Sequence, residues 1–66
     1  MSADRAELSS LSTALTELTR RVAGIAEHAA EAKDEELSTE LFAVERALRG
    51  AGRRLDRLAS GRRGRG

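Results

Sequence analysis

From Leu8 onward the chain sets an apolar residue at every third or fourth position: Leu8, Leu11, Leu15, Leu18, Val22, Ile25, Ala29 and Ala32, in steps of 3-4-3-4-3-4-3. An α-helix turns by about 100° per residue, so these steps gather the whole series on one stripe, the a and d positions of a heptad with Leu8 at a. A second series, Leu37, Leu41, Val44, Leu48, Ala51, Leu55 and Leu58, follows in steps of 4-3-4-3-4-3, with Leu41, Leu48 and Leu55 at a. The step from Ala32 to Leu37 is five residues, which would throw the two stripes out of phase on one straight helix. The pattern therefore predicts an all-α chain of two helices, about 4–32 and 35–59, joined by a turn at 32–34 and folded into an antiparallel, coiled-coil-like hairpin. One long helix with a stutter is the alternative, because the stretch EHAAEAKDEELS contains neither Gly nor Pro and is itself a good helix former.

Local chemistry favours two helices. Asp4 followed three residues later by Glu7 reads as a capping box at the start of the first helix. Asp34 is suited to cap the second, with Glu35 and Glu36 in the first turn at the positive end of the helix dipole. Side-chain sizes agree: the first series tapers to Ala29 and Ala32 where the second begins with Leu37 and Leu41, and in a hairpin Ala51 is expected opposite Leu15 and Leu18. The register also runs unbroken through RGAGRR, so Gly50 and Gly52 are read as helical, at roughly 1 kcal/mol each relative to Ala, flanking the seam where a neighbouring helix can approach closely.

Two helices leave each leucine stripe half exposed. The expected remedy is a homodimer, with Leu8, Leu11, Leu15, Leu18, Val22, Ile25, Leu37, Leu41, Val44, Leu48, Leu55 and Leu58 forming the core and dimer seam of a four-helix bundle. Composition points the same way. The chain has 66 residues, a single Phe, and no Trp, Tyr or Pro, which is little bulk for a core of its own. It has no Cys either, so disulfides and thiolate metal sites drop out as staples. No signal-peptide pattern and no apolar run near the ~20 residues of a membrane span occurs, so no membrane partner and a cytoplasmic location are expected. Basic residues that are nearly all Arg, with abundant Ala and Gly, give the chain the look of a high-GC bacterial genome.

Charge is segregated along the chain. Residues 1–45 carry ten acidic and four basic groups, net −6, and residues 46–66 carry eight Arg and one Asp, net +7, which together give the overall +1. Arg46, Arg49, Arg53, Arg54 and Arg57 on the second helix, with Arg62, Arg63 and Arg65 in the tail, are the candidate contacts to an anion or nucleic acid. The competing reading is a solvated face paired with Glu45 and Asp56. Residues 60–66, SGRRGRG, are expected to be a disordered tail, serving as a solubilising end or as a binding arm for an acidic protein or nucleic acid.

Candidate chemistry is sparse. The single histidine, His28, is at a g position near a helix end, without the Glu-x-x-His pairs of di-iron bundles, so no metal or other cofactor is expected. Hydroxyls such as Ser9, Ser10 and Thr13 have no evident base beside them, so no catalytic set can be drawn and the chain is read as non-enzymatic. The run Ser9, Ser12, Thr13, Thr16 and Thr19 carries no specific signal. Phe42, at b just off the stripe, is either buried by a wide bundle interface or an exposed anchor for a partner.

In length and in its two-heptad-series layout the ordered chain resembles the Rop family of dimeric helical hairpins, which bind RNA. The resemblance implies a hairpin dimer and slightly favours nucleic-acid binding, and it transfers no site residues. The expected function is that of a small homodimeric interaction or regulatory module. The alternatives are a nucleic-acid binder using the Arg face and tail, and a structural coiled coil made of one long helix.

Overall fold

The computed structural model describes residues 3–61. Two helices pack side by side, α1 over Ala3–Glu31 and α2 over Glu35–Ser60, and no strand occurs among the described residues. The single long helix is thereby ruled out. Residues 32–34 form the connection, where the sequence pattern places it. No helix among the described residues is long and apolar enough to cross a membrane.

The turn is closed by backbone chemistry without glycine. Lys33 adopts the left-handed conformation, φ 65°. Its N–H donates to the Ala30 carbonyl at 3.0 Å, and the Asp34 N–H donates to the Ala29 carbonyl at 2.9 Å. This is the Schellman pattern that satisfies the last carbonyls of a helix. Asp34 then starts α2, its Oδ1 accepting from the Leu37 N–H at 3.3 Å, with Glu35 and Glu36 in the first turn as expected. One residue thus ends one helix and caps the next, leaving no slack in the connection.

At the open end the details differ from expectation. Asp4 is inside the first turn of α1 and is not its cap, because the helix already begins at Ala3; its charge still favours the positive end of the dipole. Helix α2 runs through Ser60, and Gly61, at φ 77°, caps it by donating to the Leu58 carbonyl at 3.2 Å. The Arg5 guanidinium donates to the same carbonyl, tying the start of α1 to the end of α2. Residues 62–66, which hold most of the expected disordered tail, lie outside the described residues.

The seam between the helices is rotated relative to the leucine stripes. The covered positions of α1 include Leu8, Ser12, Leu15, Thr19, Val22, Ala26 and Ala29 and those of α2 Ser38, Leu41, Glu45, Leu48, Gly52, Leu55 and Ala59, with Arg5, Ala23, Gly24 and Gly50 also partly covered. Both sets follow a heptad spacing, but they occupy a and e, not a and d. Gly52, not Ala51, faces Leu15: a methyl group added at Gly52 would meet the Leu15 Cδ2 at 3.7 Å, while Ala51 is exposed. Antiparallel register from that point sets Leu8 opposite Ala59, Ser12 opposite Leu55, Thr19 opposite Leu48 and Ala26 opposite Leu41. Large faces small in each of these layers, which lets the helix axes approach closely.

Two substitutions at the turn test this account. A non-glycine residue in the left-handed conformation costs about 1–2 kcal/mol, partly offset for Gly by its greater freedom in the unfolded chain. Lys33→Gly is therefore expected to stabilise the fold by roughly 0.5–1 kcal/mol, raising the melting temperature by several degrees. Asp34→Ala is expected to lower stability by about 1 kcal/mol through loss of the cap. Thermal melts at one fixed protein concentration compare the pair; no gain in Lys33→Gly would contradict the left-handed turn.

Candidate functional site

A hairpin whose seam uses a and e must display its d positions elsewhere. On each helix d lies on one side of the seam and b on the other. Because the helices run antiparallel, both d rows come to one face of the hairpin and both b rows to the reverse. The surface bears this out on the b side. An open groove of about 520 Å³ is lined by Thr16 and Ala23 from row b of α1 and by Arg49 and Asp56 from row b of α2, with no d residue among its walls.

The d face is apolar. It carries Leu11, Leu18 and Ile25 from α1, exposed by 50, 48 and 55%, and Leu37, Val44 and Leu58 from α2, exposed by 44, 43 and 56%. Ala32 and Ala51 complete the two rows, and Ala14 and Ala47 flank them from row g. Six large aliphatic side chains, each about half exposed on one side of so small a hairpin, are more apolar surface than monomeric proteins usually leave open. The charged neighbours of the patch in rows c and g of α2 are Glu36 and Glu40 near the turn and Arg54 and Arg57 near the open end.

The reverse face is polar. Its groove is also lined by Ser12, Leu15, Thr19, Arg20, Leu48, Gly52 and Arg53. The Thr16 and Thr19 hydroxyls donate to the Ser12 and Leu15 carbonyls at 3.1 and 2.7 Å, so their hydrogens are already bound within α1. Glu45 stands in the seam with its side chain 14% exposed, and Arg49 holds it through two N–H donors, one of them Nε at 3.0 Å. Arg20 pairs with Glu17 at 2.9 Å. With Asp56 in the groove wall, the guanidinium charges of Arg20, Arg49 and Arg53 are matched by three nearby carboxylates, so this face has little net positive charge.

The expected site residues thus divide. Leu8, Leu15, Val22, Leu41, Leu48 and Leu55 build the seam within the hairpin, and Leu11, Leu18, Ile25, Leu37, Val44 and Leu58 build the apolar face. Phe42 is 37% exposed and belongs to row b on the reverse side, so a bundle formed through the d face does not bury it. The expected arginine stripe is dispersed: Arg49 and Arg53 reach the groove, while Arg46, Arg54 and Arg57 are exposed outside its walls. Arg62, Arg63 and Arg65 lie outside the described residues. His28 is in the last turn of α1, where a cation suits the dipole.

Sequence reasoning missed Arg20 and the seam roles of Ser12, Thr19 and Ser38, and it set Gly52 beside the seam where the structure puts it within. A signal was present, since Ser12, Thr19 and Ala26, and Ser38, Gly52 and Ala59, recur at multiples of seven residues. Comparison of the chain with known protein families, with curated proteins and with solved structures finds no match. The likeness to Rop hairpins stays one of layout.

Gly52 gives a signed test of the seam. Its added methyl would sit in ordinary van der Waals contact with Leu15, so the close approach does not forbid alanine. Gly52→Ala is expected to stabilise the hairpin by up to about 1 kcal/mol, the difference in helix propensity. A marked loss in a denaturant melt would show that the helices are closer at this layer than described.

Proposed function

We propose that the chain is a non-enzymatic interaction module whose apolar d face pairs with the same face of a second copy, making a four-helix bundle. The observation that carries this reading is the pair of heptad rows, Leu11, Leu18, Ile25 and Leu37, Val44, Leu58, left half exposed on one side. A second copy fits because the apolar rows and their flanking charges are complementary to themselves. Burial of each half-exposed side chain contributes roughly 1 kcal/mol. Over both protomers that is on the order of 12 kcal/mol, comparable in size to the 4–15 kcal/mol cost of association. At the low end of that cost the surplus is about 8 kcal/mol, which corresponds to a micromolar Kd.

Nucleic-acid binding through the Arg-rich face has less support. Phosphate contacts need an excess of positive charge. On the groove side the guanidiniums are offset by Glu17, Glu45 and Asp56, and no aromatic lines the groove to stack a base. The solvated, internally paired face is the better account of these arginines.

Analytical ultracentrifugation tests the proposal. The wild-type chain is expected to sediment as a dimer at micromolar concentration, and Leu18→Glu, which puts a charge in the middle of the apolar face, as a monomer of reduced thermal stability. A well-folded wild-type monomer at micromolar concentration would sink the idea.

A further inference from the structure

Resting on that self-pairing, we infer that the two hairpins pack with their turns at opposite ends, and that Glu36 and Glu40 of each α2 lie against Arg57 and Arg54 of the other. Two face-to-face arrangements are open to a symmetric pair. With the turns together, each α1 lies on the partner's α2. With the turns apart, α1 lies on α1 and α2 on α2. Both bury the d rows, so charge and side-chain order decide between them.

The d row of α2 reads Leu37, Val44, Ala51, Leu58, and it is evenly disposed about its midpoint between residues 47 and 48. Laid antiparallel on its own copy, it sets Leu37 against the partner's Leu58 and Val44 against the partner's Ala51. The α1 row is disposed about Leu18, with Leu11 then against the partner's Ile25. The two centres nearly coincide, because Leu15 opposite Gly52 puts Leu18 about level with Arg49. The centres are offset by only about 2 Å at 1.5 Å per residue, so one two-fold axis serves both helices with a small shift of each row.

The flanking charges follow the same axis. Glu36 and Glu40 precede the midpoint of α2, and Arg54 and Arg57 follow it, in the same c and g rows. Reversal about the axis brings the acidic pair of one copy to the basic pair of the other, twice per dimer. The opposite arrangement sets Glu31 of α1 near the partner's Glu36 and crowds both acidic turns, with Asp34 and Glu35, at one end. Single surface pairs contribute only about 0–1 kcal/mol. Their sum need only choose between two packings of similar apolar burial.

The chain has no cysteine, so Glu35→Cys in the full chain accepts a single spin label at the turn. Double electron–electron resonance on that dimer is expected to give a separation on the order of 35–40 Å, the length of α2 at 1.5 Å per residue. A separation below about 20 Å in a sample that sediments as a dimer overturns this arrangement while leaving the self-pairing intact. A sample that sediments as a monomer overturns the pairing itself, and this inference with it. As a second measurement, Arg54→Glu/Arg57→Glu alone and Glu36→Arg/Glu40→Arg alone are each expected to dimerise at least about tenfold more weakly than the wild type. Their equimolar mixture is expected to recover wild-type affinity. Unchanged affinity in both double variants would show that these residues do not meet.

Discussion

The contact face of each helix and its most apolar stripe do not coincide, and most of the molecule's surface follows from that offset. The stripe is centred between a and d, and the seam between a and e, a rotation of about 50° at 100° per residue. Apart from Arg5 and Glu45 the residues at e are small, and Ser12, Thr19, Ala26, Gly52 and Ala59 each offer a gap for a leucine from the facing helix. Had the hairpin closed on a and d instead, leucine would have met leucine at most layers, and the helices would have stood further apart. Close approach at e turns every d side chain out of the seam and, because the helices are antiparallel, to the same side.

The partition of chemistry between the two faces is a consequence of the same rotation. Row d is apolar without interruption over the described helices apart from Asp4, whereas row b carries Ser9, Thr16, Phe42, Arg49 and Asp56 among its members. The groove therefore mixes seam residues such as Leu15 and Leu48 with polar side chains, among them threonines whose hydroxyls donate to carbonyls four residues back and arginines in ion pairs three or four residues apart. Such local pairs offset the charge of Arg20 and Arg49 within the helices that carry them. The unmet requirement of the hairpin lies on the other side, in apolar area.

Much of this was legible in the sequence. Two heptad series with a five-residue step between them define two helices and a turn, and Asp34 marks the start of the second because a short carboxylate is the right reach for the orphan amides there. The rotation was not legible from hydrophobicity alone. Leu8, Leu15 and Val22 belong equally to a seam on a and d or on a and e; small polar residues at e decide it, and a reading that counts apolar positions passes over them. The turn's place was legible but its conformation was not: the left-handed Lys33 is accompanied by the two hydrogen bonds of the Schellman pattern, with no glycine to advertise it. Phe42 escaped because its burial depends on which face pairs, a tertiary fact.

The hairpin is one layer of helices, 12 Å in its shortest dimension against 48 Å in its longest. A single layer has no inside. Alanines and small polar residues reach near-complete burial between the helices, but none of the large side chains does, because a leucine projecting from one helix of a pair always keeps a flank in solvent. Domains ordinarily solve this with a second packed layer, and the described residues 3–61 make one layer. In the proposed pairing, a second copy laid on the d face would supply that layer and would cover the half-exposed leucines at d. On that reading the seam alone gives the chain its topology but only part of its stability, and association adds the rest.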